Sequence, residues 1–265
     1  MPISYKKSYK KSYKKSYKKK LIGGGSIPSY KYVGSDMSKG LEINLKNQGI
    51  LTGRGALQFV DPSLEVDIYT GSVGSMFMRF ISSAPVFMLR VKGTGKAVFS
   101  SALPADIVEM KIKEGEEYIL PENSFLCCTE NVEIGATTKL KGLIFGLNFI
   151  VNSAKVKPGS GEGVVWVSGY GGSHKMELKS GESIKVEPGL LLIMPSHMNI
   201  SVSKVGSIGA TLVGGEGLYL SKISGPGTFY LSNKSIQDYN NHIRRIVKEM
   251  IPSGNKENRI NISFD

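Results

Sequence analysis

The residues with the most evident capacity for chemistry stand at the start of the chain. Residues 4–19 are four consecutive copies of Ser-Tyr-Lys-Lys, closed by Lys20. The lysines are Lys6, Lys7, Lys10, Lys11, Lys14, Lys15, Lys18, Lys19 and Lys20. Ammonium groups at this density neutralise phosphates and release their counterions. Tyr5, Tyr9, Tyr13 and Tyr17 recur at every fourth position, and such rings stack on exposed bases. Like charges so close together repel, and nothing nearby supplies a core, so residues 1–40 read as a disordered basic arm with its linker. Charge does not choose the partner. Nucleic acid or another polyanion, an anionic lipid surface at ~1 kcal/mol per lysine, and a passive solubility tail all remain open. A mitochondrial presequence is a further reading, although such peptides favour arginine and the arm has none.

Other reactive residues are few. His174, His197 and His242 have no metal-ligand spacing with one another or with Cys127 and Cys128. The two cysteines are adjacent, and neighbouring side chains on a strand point to opposite faces, so they are poorly placed to bridge. Acids are scattered, without a pair that strand alternation would bring together. Trp166 falls in an apolar run and reads as core. The expectation is a protein that is not an enzyme, with no cofactor, no metal and no identified small-molecule substrate.

The charge is uneven along the chain. Of a net +12 over 265 residues, the nine lysines of residues 1–20 leave about +3 on the remainder. A polyanion site therefore belongs to the arm and not to the body. No apolar run approaches the ~20 residues of a membrane-spanning helix, and no apolar stretch follows the basic start as in a secretory signal. Two cysteines without a disulfide framework suit a reducing compartment, or simply an unstapled fold. These features predict an intracellular protein, with virion and mitochondrion both compatible.

What positions the arm is a repeat. Gly93-Thr94-Gly95 returns sixty-six residues on as Gly159-Ser160-Gly161, and sixty-six further as Gly225-Pro226-Gly227. Each opens an apolar run: Ala97-Val98-Phe99, Val164-Val165-Trp166 and Phe229-Tyr230-Leu231. At the same offset Met110, Ile112, Gly115, Glu116 and Leu120 meet Met176, Leu178, Gly181, Glu182 and Val186, and Gly49 precedes Gly115. A fixed period of this length marks a repeat architecture. Glycine pairs without a following helix read as structural turns or bulges rather than phosphate cradles. Residues 41–233 therefore predict a triplicated all-β domain, its sandwich or barrel units arranged about a pseudo-threefold axis, with turns every eight to twelve residues. Strands are expected at 41–45, 57–60, 64–69, 86–91, 96–101, 106–113, 116–120, 124–129, 132–139, 162–168, 174–179, 183–187, 190–194, 198–204, 217–223 and 228–232, and residues 27–40 read as loop. Ile236, Tyr239, Ile243, Ile246, Val247 and Met250 have helical spacing. Residues 234–252 are thus a C-terminal helix capped by Ser235 and ended by Pro252, and 253–265 a loose tail. The helix either covers a sheet edge or packs on another subunit.

Several pieces carry a family resemblance. They are Gly55-Ala56-Leu57-Gln58-Phe59-Val60-Asp61-Pro62, Met76-Phe77-Met78-Arg79-Phe80, Pro188-Gly189, and Gly214-Gly215-Glu216-Gly217 leading to Gly225-Pro226-Gly227. Over about residues 41–233 they resemble the altered-inheritance-of-mitochondria family. The resemblance implies a triplicated β fold similar to the tryptophan RNA-binding attenuator protein, oligomer formation and no established catalysis, with a fungal member tied to inner-membrane organisation. The chain departs from the family in having Ala84-Pro85 where Gly-Glu is usual, and in its arm. A basic arm on an otherwise ordinary member would also suit a virion component packaged with a genome. The likeness to the attenuator is one of fold and does not transfer RNA or tryptophan binding.

These readings converge on a self-associating scaffold, a trimer or another homo-oligomer. Its contact surface is expected at Leu143, Ile144, Phe145, Leu147 and Phe149, a stretch that reads equally well as a buried corner.

Overall fold

The computed structural model describes residues 27–36, 38–53, 55–69, 88–136, 151–204 and 219–250. Among these described residues seventeen strands are present: β1 (Ser29–Ser35), β2 (Ser38–Thr52), β3 (Leu57–Val60), β4 (Leu64–Tyr69), β5 (Met88–Ser100), β6 (Ala105–Lys113), β7 (Glu117–Pro121), β8 (Phe125–Thr129), β9 (Val132–Ala136), β10 (Val151–Val156), β11 (Glu162–Tyr170), β12 (Ser173–Leu178), β13 (Ser183–Val186), β14 (Leu191–Pro195), β15 (Asn199–Lys204), β16 (Tyr219–Ser224) and β17 (Gly227–Ser232). The α-helix α1 (Ile236–Met250) follows them. The strands form three sheets. In the largest the order is β3-β5-β2-β8-β11-β6, with β1 on β2 and β4 on β5; the second runs β12-β17-β14-β7-β10-β9, and the third β13-β16-β15.

The sixty-six-residue period survives in the pairing. Single turns of 3-10 helix at Glu122–Ser124 and Pro188–Leu190 precede β8 and β14 at that offset. So do two matching turns: Glu116 N–H donates to Lys113 O (3.0 Å) and Glu182 N–H to Lys179 O (3.1 Å). In return the Lys113 and Lys179 N–H groups donate to Glu116 Oε2 (2.9 Å) and Glu182 Oε2 (2.7 Å). At the matching place earlier in the chain, where this turn separates β6 from β7, the single strand β2 runs on with a register shift between Lys46 and Gln48.

The Gly-x-Gly pairs mark where a strand crosses from one set of neighbours to the next. β5 pairs with β4 through Met88–Gly93 and with β3 through Ala97–Phe99, and β2 lines its other edge throughout. Two separate strands do this in the later repeats. β10 gives way to β11 after Gly159-Ser160-Gly161, and β16 to β17 at Gly225-Pro226-Gly227. β11 then pairs with β6 and β17 with β12, as the second half of β5 pairs with the first half of β2.

Alternation within the strands fills three apolar clusters. The first gathers Leu41, Ile43, Ile50, Phe99, Cys127 and Trp166, the second Ile112, Leu120, Cys128, Val165 and Ile193, the third Ile119, Met194, Ile223 and Phe229. Each draws on more than one repeat. Trp166 is fully buried, and so are both thiols, which are unbridged. Burial raises the pKa of each, so neither is poised as a nucleophile.

Three expectations need correction. Residues 27–40 are not all loop, because Ser29–Ser35 is a strand registered residue for residue on Ser38–Asn44. The strands expected at 86–91 and 96–101 are one, since glycines at 93 and 95 bend the backbone without releasing its ladder. A strand unforeseen at 151–156 joins β7 to β9, with Asn152 and Ser153 buried. The helix has the expected cap, Asp238 N–H donating to Ser235 Oγ at 3.3 Å. None of its residues is buried, and Tyr239 meets Tyr170 edge to face at 5.6 Å. The stretch containing Leu143, Ile144, Phe145, Leu147 and Phe149 lies outside the described residues.

Equivalent glycines differ in their surroundings, and this is testable. A Cβ at Gly225 would stand 2.5 Å from Lys179 O, whereas one at Gly159 (φ +74°) meets nothing within 4 Å. Gly159→Ala should cost about 1 kcal/mol, the strain of positive φ alone. Gly225→Ala should cost about 2–3 kcal/mol by steric displacement of backbone. Urea melts of the two variants check the order.

Candidate functional site

The arm itself, Lys6 to Lys20 with Tyr5, Tyr9, Tyr13 and Tyr17, lies outside the described residues. What is described is the strand by which it joins the body. β1 reads Ser29-Tyr30-Lys31-Tyr32, so it begins with one more Ser-Tyr-Lys. This copy escapes a reading by composition because it stands apart from the other four, after a glycine-rich joint.

Period-two alternation turns Tyr30 and Tyr32 inward together and Lys31 outward. Tyr30 packs edge to face on Trp166, with ring centroids 5.2 Å apart, and meets Tyr32 at 5.9 Å. Its hydroxyl donates to Glu109 Oε2. Glu109 is the direct cross-strand partner of Trp166, so one pair on β6 and β11 offers both the ring and the carboxylate. Lys31 Nζ lies 3.1 Å from Glu42 Oε1, its partner across the β1–β2 ladder. Beyond Tyr32 a second polar group closes the strand. Lys39 Nζ donates to Asp106 Oδ1 at 2.6 Å and lies 5.8 Å from the centre of the Tyr32 ring, while Ser173 Oγ donates to Asp106 Oδ2. The Trp166 indole N–H is buried with no partner among the described residues.

Electrostatics keep the two phenols neutral. Burial raises the Tyr30 pKa far above its usual value, helped by the hydrogen bond to Glu109; burial does the same for Tyr32, with Glu109 and Asp106 adding to it. This constellation anchors a strand. Both rings lie against the first apolar core, and neither tyrosine is set up to ionise.

Elsewhere the described residues offer little reactive chemistry. They contain no group of three or more His, Cys, Asp or Glu side chains able to share a metal ion. The three histidines are exposed; His197 Nε2 lies 3.2 Å from Pro226 O, and His242 Nδ1 3.0 Å from Arg245. A cleft of about 380 Å³ runs beside Lys39, Gln58, Ser100 and Pro104, without a cluster of titratable groups. The Gly93, Gly95, Gly159, Gly161, Gly225, Pro226 and Gly227 positions serve the backbone crossings described above. No helix among the described residues is long and apolar enough to cross a membrane.

Removing the Tyr30 hydroxyl should loosen β1. Tyr30→Phe keeps the ring on Trp166 and loses the bond to Glu109, at a cost of about 1–2 kcal/mol. The folded pKa of Tyr30 lies above its unfolded value, so its contribution is whole below about pH 10 and falls as pH rises through the phenol range. Urea melts at pH 7 and pH 10.5 should show a smaller alkaline loss in the variant than in the parent.

Comparison with known proteins agrees with this architecture. A solved X-ray crystal structure of a protein from Streptococcus pyogenes superimposes with a TM-score of 0.67 at 14% sequence identity, over 83% of this chain and 100% of that one. That likeness concerns the fold. No curated protein matches the chain. The family model described as mitochondrial biogenesis AIM24 matches residues 30–234, from the tyrosine that anchors β1 to the residue before the helix cap. The chain belongs to the mitochondrial biogenesis AIM24 family.

Proposed function

We propose that this protein is a non-catalytic, self-associating β scaffold whose lysine-tyrosine arm holds it to a polyanion, nucleic acid foremost. The observation that carries this reading is the division of charge: nine lysines and no acid in residues 1–20, against about +3 on all the rest. The body contributes a scaffold. Its thiols are buried with raised pKa, and the Tyr30 and Tyr32 phenols are held neutral. The recurrence of strand pairing supports closure of the repeats about a pseudo-threefold axis. Self-association, as a trimer or another homo-oligomer, accords with the exposed Ile246 and Met250 of α1.

A second reading draws on the family. A mitochondrial-biogenesis family accords with a mitochondrial location, where the same lysines would meet anionic lipid at a membrane surface. Neither the family nor the fold supports a virion location.

Binding across a salt series separates the readings. With duplex DNA, the full chain should lose affinity steeply, log K falling against log salt with a slope up to about −8 if all nine lysines engage phosphate. The chain lacking residues 1–20 should keep its thermal midpoint and lose DNA binding. If the truncated body still binds DNA, the arm assignment is wrong; preference for anionic vesicles over DNA selects the membrane reading.

A further inference from the structure

A six-residue strand ends one side of the second sheet. Among the described residues β12 (Ser173–Leu178) pairs with β17 alone, which leaves its outer side an open edge. Alternation sets Met176 and Leu178 against the third apolar cluster. Lys175 and Glu177 therefore share the opposite face, and both are exposed. Across the β17 ladder they meet Tyr230 and Thr228, neither of which carries a charge. An open edge with unpaired backbone groups is a template for another strand. The side chains decide which strand it takes.

A twofold axis perpendicular to a sheet sets two copies of one strand antiparallel and keeps every side chain on its own face. Passed through Lys175 or through Glu177, such an axis opposes that residue to its own copy, a like-charge contact. Passed through Met176, it sets Lys175 directly against Glu177 of the second copy and Glu177 against Lys175, with His174 facing Leu178 on the other side. This register makes two opposite-charge pairs, and the registers on either side of it make none. Other edge strands lack such a match. β4 carries Glu65 and Asp67 and β9 carries Glu133, all without a cation in the strand. β1, β13 and β15 carry lysine without an acid. On β6 the carboxylates of Glu109 and Asp106 already accept bonds from Tyr30, Lys39 and Ser173.

We infer that β12 is a contact between two copies of this chain, joined edge to edge about a twofold axis at Met176, with Lys175 of each copy paired to Glu177 of the other. The contact is isologous, the same strand serving on both sides, and it makes the second sheet continuous across the pair. Ser173 Oγ donates to Asp106 of β6, so the shared ladder runs over His174–Leu178. Its backbone bonds supply affinity, as in other strand additions, and the two ion pairs fix register and partner. This contact rests on the self-association proposed above and gives it a surface.

Sedimentation equilibrium of the full chain at about 0.15 M salt tests it. The parent should sediment as a dimer or an even multiple of one. Glu177→Lys gathers only lysines about the axis and Lys175→Glu only carboxylates, so each variant alone should have a dissociation constant raised by roughly tenfold or more. Mixed in equal amounts, the two variants should associate with each other about as tightly as the parent does with itself, since every lysine then meets a carboxylate. Rescue between two different chains does not arise from a change inside either one. A measurement without variants stands beside it: amide hydrogen exchange over residues 174–178 of the parent should slow as concentration rises through the association range, with β6 unchanged. A parent oligomer that neither substitution weakens overturns the β12 contact and leaves self-association standing. So does a trimer, a mixture without rescue, or exchange at β12 that ignores concentration. A monomeric parent overturns both the contact and the self-association on which it rests.

Discussion

Pairing between strands far apart in the chain is the interaction on which the rest of the structure depends. β5 lies along β2, β11 along β6 and β17 along β12. The apolar clusters follow from it. Trp166 and Val164 of β11 pack with Leu41, Ile43 and Leu45 of β2 and with Phe99 of β5. Among the described residues each apolar cluster joins segments that are far apart in the chain. The crossings at Gly93, Gly159 and Gly225 let one stretch of backbone serve two sets of neighbours. Backbone geometry accounts for these glycines without a phosphate-binding role.

The same arrangement separates mechanical work from electrostatic work. Inside the body, charges face partners: Lys39 with Asp106, Arg90 with Glu130, Lys31 with Glu42. Ion pairs of this partly exposed kind add little stability individually, and they leave the body close to neutral. The uncompensated charge is concentrated on a segment joined to the first core through Tyr30. β1 is the mechanical link, since it holds the arm's root by a ring on Trp166 and a hydroxyl on Glu109.

Much of the β architecture was legible because alternation and turn spacing are local. Leu57–Val60 and Leu64–Tyr69 are strands at the expected bounds, and the cap at Ser235 is where the pattern placed it. Three features were not legible, each for a physical reason. β1 carries serine, lysine and glycine beside a lysine-rich arm, and only pairing with β2 reveals its inward tyrosines. β10 contains Asn152 and Ser153, residue types common in turns, which are buried here between two partner strands. The bond between Tyr30 and Glu109 joins residues seventy-nine positions apart, and no local pattern reports it. The arm's charge was evident from composition alone.

The central claim is that polyanion binding resides in a separable arm on an electrostatically quiet body. It is tested most directly by transplanting residues 1–26 onto an unrelated neutral protein and measuring duplex DNA binding over a range of salt. The account predicts that the graft acquires the salt slope of the full chain. A graft that stays inert, while the native chain binds, would show that the body supplies part of the site and would contradict the account.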